Sequence, residues 1–301
     1  MDKIESVLVV IDPTVERDFV VDRAKLIAKQ TNARVRLFIN NSNTLNDHSY
    51  IYEGIDGEFF ETQRRLFVEH YQKMLTELED EFSAENIETA SVFREQHHLA
   101  ESIIEEANVI DPDLVLKSTH HHSVIQRSLI TNTDWRLIRK CSKPLLLVKP
   151  QAWKEHGSVV TAVDPLHSKA AQSKLDHVLL AGTEHIARSF KLKARVFHSY
   201  YPFVSTMFPM GGETQEHLDR IRQFHADELK ELVDGYDIDD ENVKLSEGDL
   251  VPTLIDYLKS VDANVLIIGA LSRNVIERAI VGNTAEKILE DCPCDVLILK
   301  S

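Results

Sequence analysis

One feature limits what this chain can fold into more than any other: it repeats itself. Residues 111–150 recur in register over the last forty positions. Asn132-Thr133 and Asn283-Thr284, Cys141 and Cys292, and Arg127 and Arg278 are each 151 positions apart. The opening segments agree as well, since Ser6-Val7 through Asp12-Pro13 maps onto Ser158-Val159 through Asp164-Pro165 with a shift of 152. A repeat of that length is a domain. The sequence therefore predicts two domains of one fold, residues 1–150 and 151–301, each long enough to bury its own core. Pro150 to Gly157 reads as the linker.

The most apolar runs are continuous rather than alternating, the pattern of strands covered on both faces. In the first half they predict strands at about 6–11, 34–39, 89–93, 114–118 and 145–149. In the second half the strands fall at about 158–163, 194–199, 242–246, 264–269 and 295–299. Helical spacing lies between them, as in Val20, Ala24, Ile27 and Ala28, or Ile103, Ile104 and Ala107. Strands alternating with helices through short connections require right-handed crossovers. The expected fold class is α/β, with two tandem doubly wound parallel five-stranded sheets. Two long stretches, about 40–57 and 200–214, are expected to be irregular. They carry or adjoin Tyr50, Tyr52, Phe59 and Phe60, and Tyr200, Tyr201, Phe203 and Phe208, beside glycines, and would either lid a pocket or dock on a domain surface.

Composition narrows the function classes. Hydrophobic content of 43% with 28% charged residues is that of a soluble globular protein. No apolar run approaches eighteen residues, and the Met1 segment, with Asp2 and Glu5, lacks the basic start of a secretion signal. No membrane span and a cytoplasmic location are expected. The net charge of −15 is spread evenly, with 18 basic and 25 acidic residues in 1–150 against 16 and 24 in 151–301. Either half would repel a phosphate backbone, so no direct nucleic-acid partner is expected. Cys141, Cys292 and Cys294 are read as small buried hydrophobes, because C-x-C is too short for a zinc knuckle and a reducing compartment keeps them thiols.

Chemistry concentrates after the fourth strand of the second half. There Gly269-Ala270-Leu271-Ser272 is followed, nine residues on, by Gly282-Asn283-Thr284 entering a helix. A glycine at a strand end lets the backbone approach a ligand, and the free amides of a helix start attract anions. The Asp164-Pro165 turn lies at the same carboxyl edge, where doubly wound sheets bind ligands. A phosphate cradle follows, although a tight strand-to-helix connection would use the same two glycines. Asn283 is expected to cap the last helix, with Glu286 completing a capping box. In the first half the three glycine positions are Ser118, His121 and Thr131, so no phosphate loop is present there.

Histidine appears where glycine is missing. His120 and His122 alternate along an extended segment and so project to one side, and Asp12 on a neighbouring strand end is a candidate third ligand for zinc. Solvated or hydrogen-bonded loop histidines are the other reading. His167, His177, His185, His198 and His225 match no ligand spacing and are read as surface or cap residues.

The Gly-x2-Ser-x9-Gly-Asn spacing resembles the signature of the universal stress protein family, and Asp164 resembles the aspartate which that family directs toward adenosine. Asp113-Leu114-Val115-Leu116-Lys117, Thr119-His120-His121-His122, the Thr133 to Cys141 segment and Gly282-Asn283-Thr284-Ala285-Glu286 resemble its tandem-domain members, so the likeness spans essentially the whole chain. The resemblance implies an adenine nucleotide alpha hydrolase-like fold. It also implies ATP or another adenine nucleotide in the second domain, held by Asp164, Pro165, Ser199, Gly269, Ser272, Arg273, Gly282, Asn283 and Thr284. Ser272 replaces the second glycine of the signature; it still offers an amide and a hydroxyl, but loses freedom at positive φ, so affinity is expected to be weakened. The first domain should not bind ATP in the family manner. The resemblance further implies an intramolecular pseudo-dimer through the last strands, near Leu145 to Val148 and Val296 to Leu299, with homodimerisation left open, and a part in surviving stress, including DNA damage.

No G-x-S-x-G, G-x4-G-K-[ST], H-E-x-x-H or S-G-G-x-D-S motif is present, so small-molecule binding is expected rather than catalysis. Two alternatives stand beside it. One is slow ATP hydrolysis at Asp164, Gly269, Ser272 and Gly282; the other is carriage of a hydrophobic small molecule, suggested by the aromatic stretches.

Overall fold

The computed structural model describes residues 3–15, 19–41, 45–95, 98–121, 128–166, 170–201, 215–270 and 283–300. The chain divides into two compact units, one of Lys3–Thr119 with Thr131–Pro150, the other of Gln151–Ser301 with His120–Ile130.

The first unit is built from β1 (Ser6–Val10), α1 (Phe19–Thr31), β2 (Arg34–Asn40), α2 (Leu45–Ala84), β3 (Thr89–Arg94), α3 (Leu99–Ile110), β4 (Leu114–Ser118), α4 (Asn132–Lys140) and β7 (Leu145–Val148). Its strands run parallel in the order β7-β4-β1-β2-β3. Two short strands, β5 (His120–His121) and β6 (Ser128–Leu129), form an antiparallel pair that groups with the second unit.

The second unit contains β8 (Ser158–Ala162), α5 (Ala170–Phe190), β9 (Lys193–Tyr200), α6 (Gln215–Val233), β10 (Val243–Glu247), α7 (Leu250–Ser260), β11 (Ala263–Ala270), α8 (Asn283–Asp291) and β12 (Asp295–Lys300). Its sheet is again parallel, ordered β10-β9-β8-β11-β12.

The predicted α/β class and all ten predicted strands are present, each within one or two residues of its expected bounds. The reason lies in burial. Val7 to Val10, Leu114 to Leu116 and Val265 to Ile267 are almost fully covered, which continuous apolar runs permit and alternating ones do not. β3 and β10, each at one end of its unit's strand order, are mixed and half-buried. α1 buries the predicted stripe of Val20, Ala24, Ile27 and Ala28. The repeat is visible in the hydrogen bonding: Ile11 N–H donates to Phe38 O at 2.9 Å, and Val163 N–H, 152 residues after Ile11, to Phe197 O at 3.1 Å.

Two expectations are corrected. The stretch 40–57 is not an irregular loop, because residues 45–57 are the first part of the forty-residue helix α2. Gly54 and Gly57 cost a helix about 1 kcal/mol each relative to alanine and so read as breakers. A long helix that buries Tyr71, Leu75 and Phe82 further along tolerates that cost. Asn283 is the second correction: the helix begins at this residue, which makes it the first residue of the helix rather than the cap before it. Residues 202–214 lie outside the described residues.

The linker is pinned rather than free. Trp153 Nε1 donates to Asp295 Oδ2 at 2.9 Å, Lys154 N–H to Asn264 Oδ1 at 2.8 Å, and Asn264 Nδ2 returns a bond to Lys154 O at 2.9 Å. All three cysteines are buried thiols, and the sulfurs of Cys292 and Cys294 lie 3.5 Å apart. Among the described residues no helix is long and apolar enough to cross a membrane.

Candidate ligand-binding site

In the second unit β8 sits between β9 and β11, so the chain leaves β8 in one direction and returns on its other side. The crevice at the carboxyl ends of such strands is where open α/β sheets accept ligands. Asp164 follows the end of β8, exposed, with its Oδ1 accepting the Leu166 N–H at 3.3 Å; Pro165 beside it is half-buried. Ser199 is half-buried near the end of β9, opposite Ser246 of β10. Gly269 is the penultimate residue of β11. The fold thus brings Asp164, Ser199 and Gly269 to one edge, although they are far apart in sequence.

Asn283 and Thr284 open α8, and exposed Thr284 also lines a groove of about 780 Å³ between α7 and α8 with Ile255, Lys259 and Lys287. Ser272, Arg273 and Gly282 lie outside the described residues. Gly269 has a packing reason of its own. A Cβ there would lie 2.4 Å from Leu175 Cδ2, so helix α5 already requires glycine at this position.

Behind Asp164 stands a polar cluster that sequence spacing does not reveal. His198, 4% exposed on β9, has Nδ1 3.1 Å from Val163 O, and its Nε2 is 2.9 Å from Nδ1 of His225 on α6. The His225 ring stacks on Tyr200 at 4.8 Å and on His198 at 5.1 Å. Tyr200 in turn donates to Glu247 Oε2 at 3.2 Å. Burial pushes the His225 imidazole below its ordinary value, and the nearby Asp164 charge pulls it back up. Burial, and then Glu247, raise the Tyr200 phenol. The available signal was His198 directly after the apolar step Val196-Phe197, a buried stretch of β9 that obliges an imidazole to find partners.

The same edge of the first unit is built differently. Asp12 Oδ1 closes a local turn with Thr14, accepting its N–H at 2.9 Å and its hydroxyl at 2.6 Å. Lys117, near the end of β4, and Asp134, in the first turn of α4, form a buried ion pair at 2.8 Å, and Lys117 Nζ also donates to Ser118 O at 3.0 Å. Asp134 Oδ2 accepts the N–H of Thr131 at 2.7 Å and its hydroxyl at 2.8 Å, in a reciprocal capping box. The α4 start, the element that would offer amides to a phosphate, therefore already holds a carboxylate of its own chain. By the 151-residue register the second unit has Ile268 and Ala285 at these positions.

Of the predicted zinc ligands, Asp12 takes part in the Thr14 turn, His120 opens β5, and His122 lies outside the described residues. Among the described residues no group of three or more His, Cys, Asp or Glu side chains is arranged to hold a metal.

Two doubly wound units in one chain, each with five parallel strands and its first strand flanked on both sides, define a tandem α/β protein. The sequence model of the Universal stress protein family matches residues 3–149 and again 156–300, and the chain belongs to that family. It is 27% identical to Universal stress protein E of Photorhabdus laumondii over 314 aligned positions, which cover 100% of this chain and 96% of that protein. It is 30% identical to Universal stress protein E of Escherichia coli K12 over 208 positions, 66% of this chain and 64% of the relative. Among solved structures, a functionally unknown protein of Pseudomonas aeruginosa PAO1 superposes with a TM-score of 0.75 at 23% identity, covering 99% of this chain and 92% of that one. A universal stress protein from Archaeoglobus fulgidus gives 0.66 at 13% identity, with 98% of each chain covered. These two likenesses establish the fold. Family membership supports a role in the stress response.

Proposed function

We propose that this chain acts in the stress response by binding an adenine nucleotide, ATP foremost, at the carboxyl edge of its second unit. Asp164 would take a donor from the nucleoside, Ser199 would lie along the same edge, and Gly269 and the start of α8 at Asn283 and Thr284 would face the phosphates. Ser272, Arg273 and Gly282 belong to the same proposal through the family spacing. One observation carries it: the switch point of the second unit joins Asp164 and Gly269, while the matching helix start of the first unit is filled by Asp134. The residues suit such a ligand, because an exposed carboxylate beside a half-buried serine offers acceptors to ribose or adenine donors. Binding, not turnover, is the function proposed. The setting would be the cytoplasm, and the outcome survival under stress, including DNA damage.

Calorimetry with ATP on the full chain tests this reading. Saturable heat that Asp164→Ala removes supports it, and no heat at protein concentrations adequate for micromolar binding removes it.

A further inference from the structure

The hydrogens of the His198 and His225 pair follow from its partners. A main-chain carbonyl only accepts, so His198 Nδ1, facing Val163 O, carries a hydrogen. Neutral His198 then presents a lone pair at Nε2, and Nδ1 of His225 must be the donor to it. Of the four ring nitrogens, only His225 Nε2 then accepts a proton without breaking either bond. A proton on His198 Nε2 would set two donors face to face. The pair therefore titrates as a unit and loads a single proton.

The setting makes that proton consequential. The carbonyl held by His198 belongs to Val163, the residue immediately before Asp164. On α6 the buried residues are Leu229 and Val233, both C-terminal to His225, in a cluster with Val163, Leu180 and Val196. His225 thus ties the middle of α6 to β9 through His198. Among the described residues, the charged and titratable groups acting on the cluster are Asp164 from the β8 turn, His198 and Tyr200 from β9, Glu247 from β10, and Asp219 and Arg222 from α6 itself. Asp164 is the one that favours the His225 cation. The first unit has no counterpart, because the residue after Phe38, which matches Phe197, is Ile39.

We propose that His198 and His225 position the Asp164 turn and load one proton on the outer nitrogen of His225, tying the ligand grip of the second unit to pH. With His225 neutral, its ring does not compete with a ligand for the Asp164 carboxylate. With His225 charged, the imidazolium competes for that carboxylate and the grip weakens. The tie to affinity rests on reading Asp164 as a ligand residue; the proton uptake does not.

The test uses the full chain and two readouts. Histidine proton resonances are followed by NMR from about pH 5 to about pH 8, the range in which imidazoles titrate, with His225→Gln identifying the signal. The expected His225 midpoint lies below the ordinary imidazole value, and Asp164→Asn, at an exposed position, moves it lower still. Adenosine, which has no phosphate to titrate, is then used as the probe in calorimetry. Its affinity is expected to fall about threefold or more as pH drops across the His225 transition, and to be flat in His225→Gln. A midpoint that Asp164→Asn leaves unmoved overturns the proposal, and so do identical pH profiles for wild type and His225→Gln. Expected NMR shifts with no adenosine binding even at about pH 8 overturn the ligand reading, and with it the tie to affinity, while the proton site stands.

Discussion

The two units share a strand order and a hydrogen-bond register, and they differ where a ligand would sit. In the first, Lys117 and Asp134 close the crevice from within, and the carboxylate occupies the start of α4. In the second, Ile268 and Ala285 stand at those positions, and the histidine pair backs an exposed Asp164. A doubly wound domain can therefore keep its architecture while the start of one helix takes up a carboxylate of its own chain. The glycines absent from the first unit are one half of that change; Asp134 is the other.

The largest expected effect comes from breaking the internal anion. Asp134→Ala leaves Lys117 buried without its counter-charge and should cost the first unit about 3–5 kcal/mol, seen as an early transition in guanidinium unfolding. Adding Lys117→Met should recover most of that loss, since an apolar replacement of the whole pair is close to neutral. Equal midpoints for wild type and Asp134→Ala would break the comparison. Next, Asp164→Ala should weaken ATP binding tenfold or more, about 1.5–3 kcal/mol for a lost charge-assisted hydrogen bond, while Asp12→Ala should leave it unchanged. Calorimetry on both variants decides between the units.

Gly269→Val should destabilise the second unit by about 1–3 kcal/mol through overpacking against Leu175, and a companion Leu175→Ala should relieve part of it in thermal melts. Thr131→Val removes the cap of α4 and should cost about 1 kcal/mol in the first unit alone. A smaller effect is set by His225. Its folded value lies below the ordinary one of about 6.5, so the unfolded chain binds more protons between the two. Stability from this residue is therefore complete above that ordinary value and is lost as pH falls below it. Melts of wild type and His225→Gln should converge on acidification.

The sheets were legible because buried parallel strands leave unbroken apolar runs, and the repeat supplied each half with a second copy to check against. The start of α2 was not, since Gly54 and Gly57 mimic a loop when only local propensity is weighed. Asp164 and Gly269 were readable as edge residues from strand ends alone. His198 and His225 were not readable as a pair, because 27 residues separate them and only the packing of α6 on β9 brings them together. Lys117 and Asp134 left a fainter trace. A lysine ending the apolar run Leu114-Val115-Leu116 needs a buried partner, and Thr131-x-x-Asp134 is a capping box pattern that places one nearby.

The most direct test of the contrast between the units is the number of nucleotides bound per chain, measured by equilibrium dialysis with labelled ATP on wild type, Asp12→Ala and Asp164→Ala. One nucleotide per chain, kept by Asp12→Ala and lost by Asp164→Ala, is the result expected when the second unit alone holds the ligand. Two per chain, none at all, or a loss on changing Asp12 instead would contradict it.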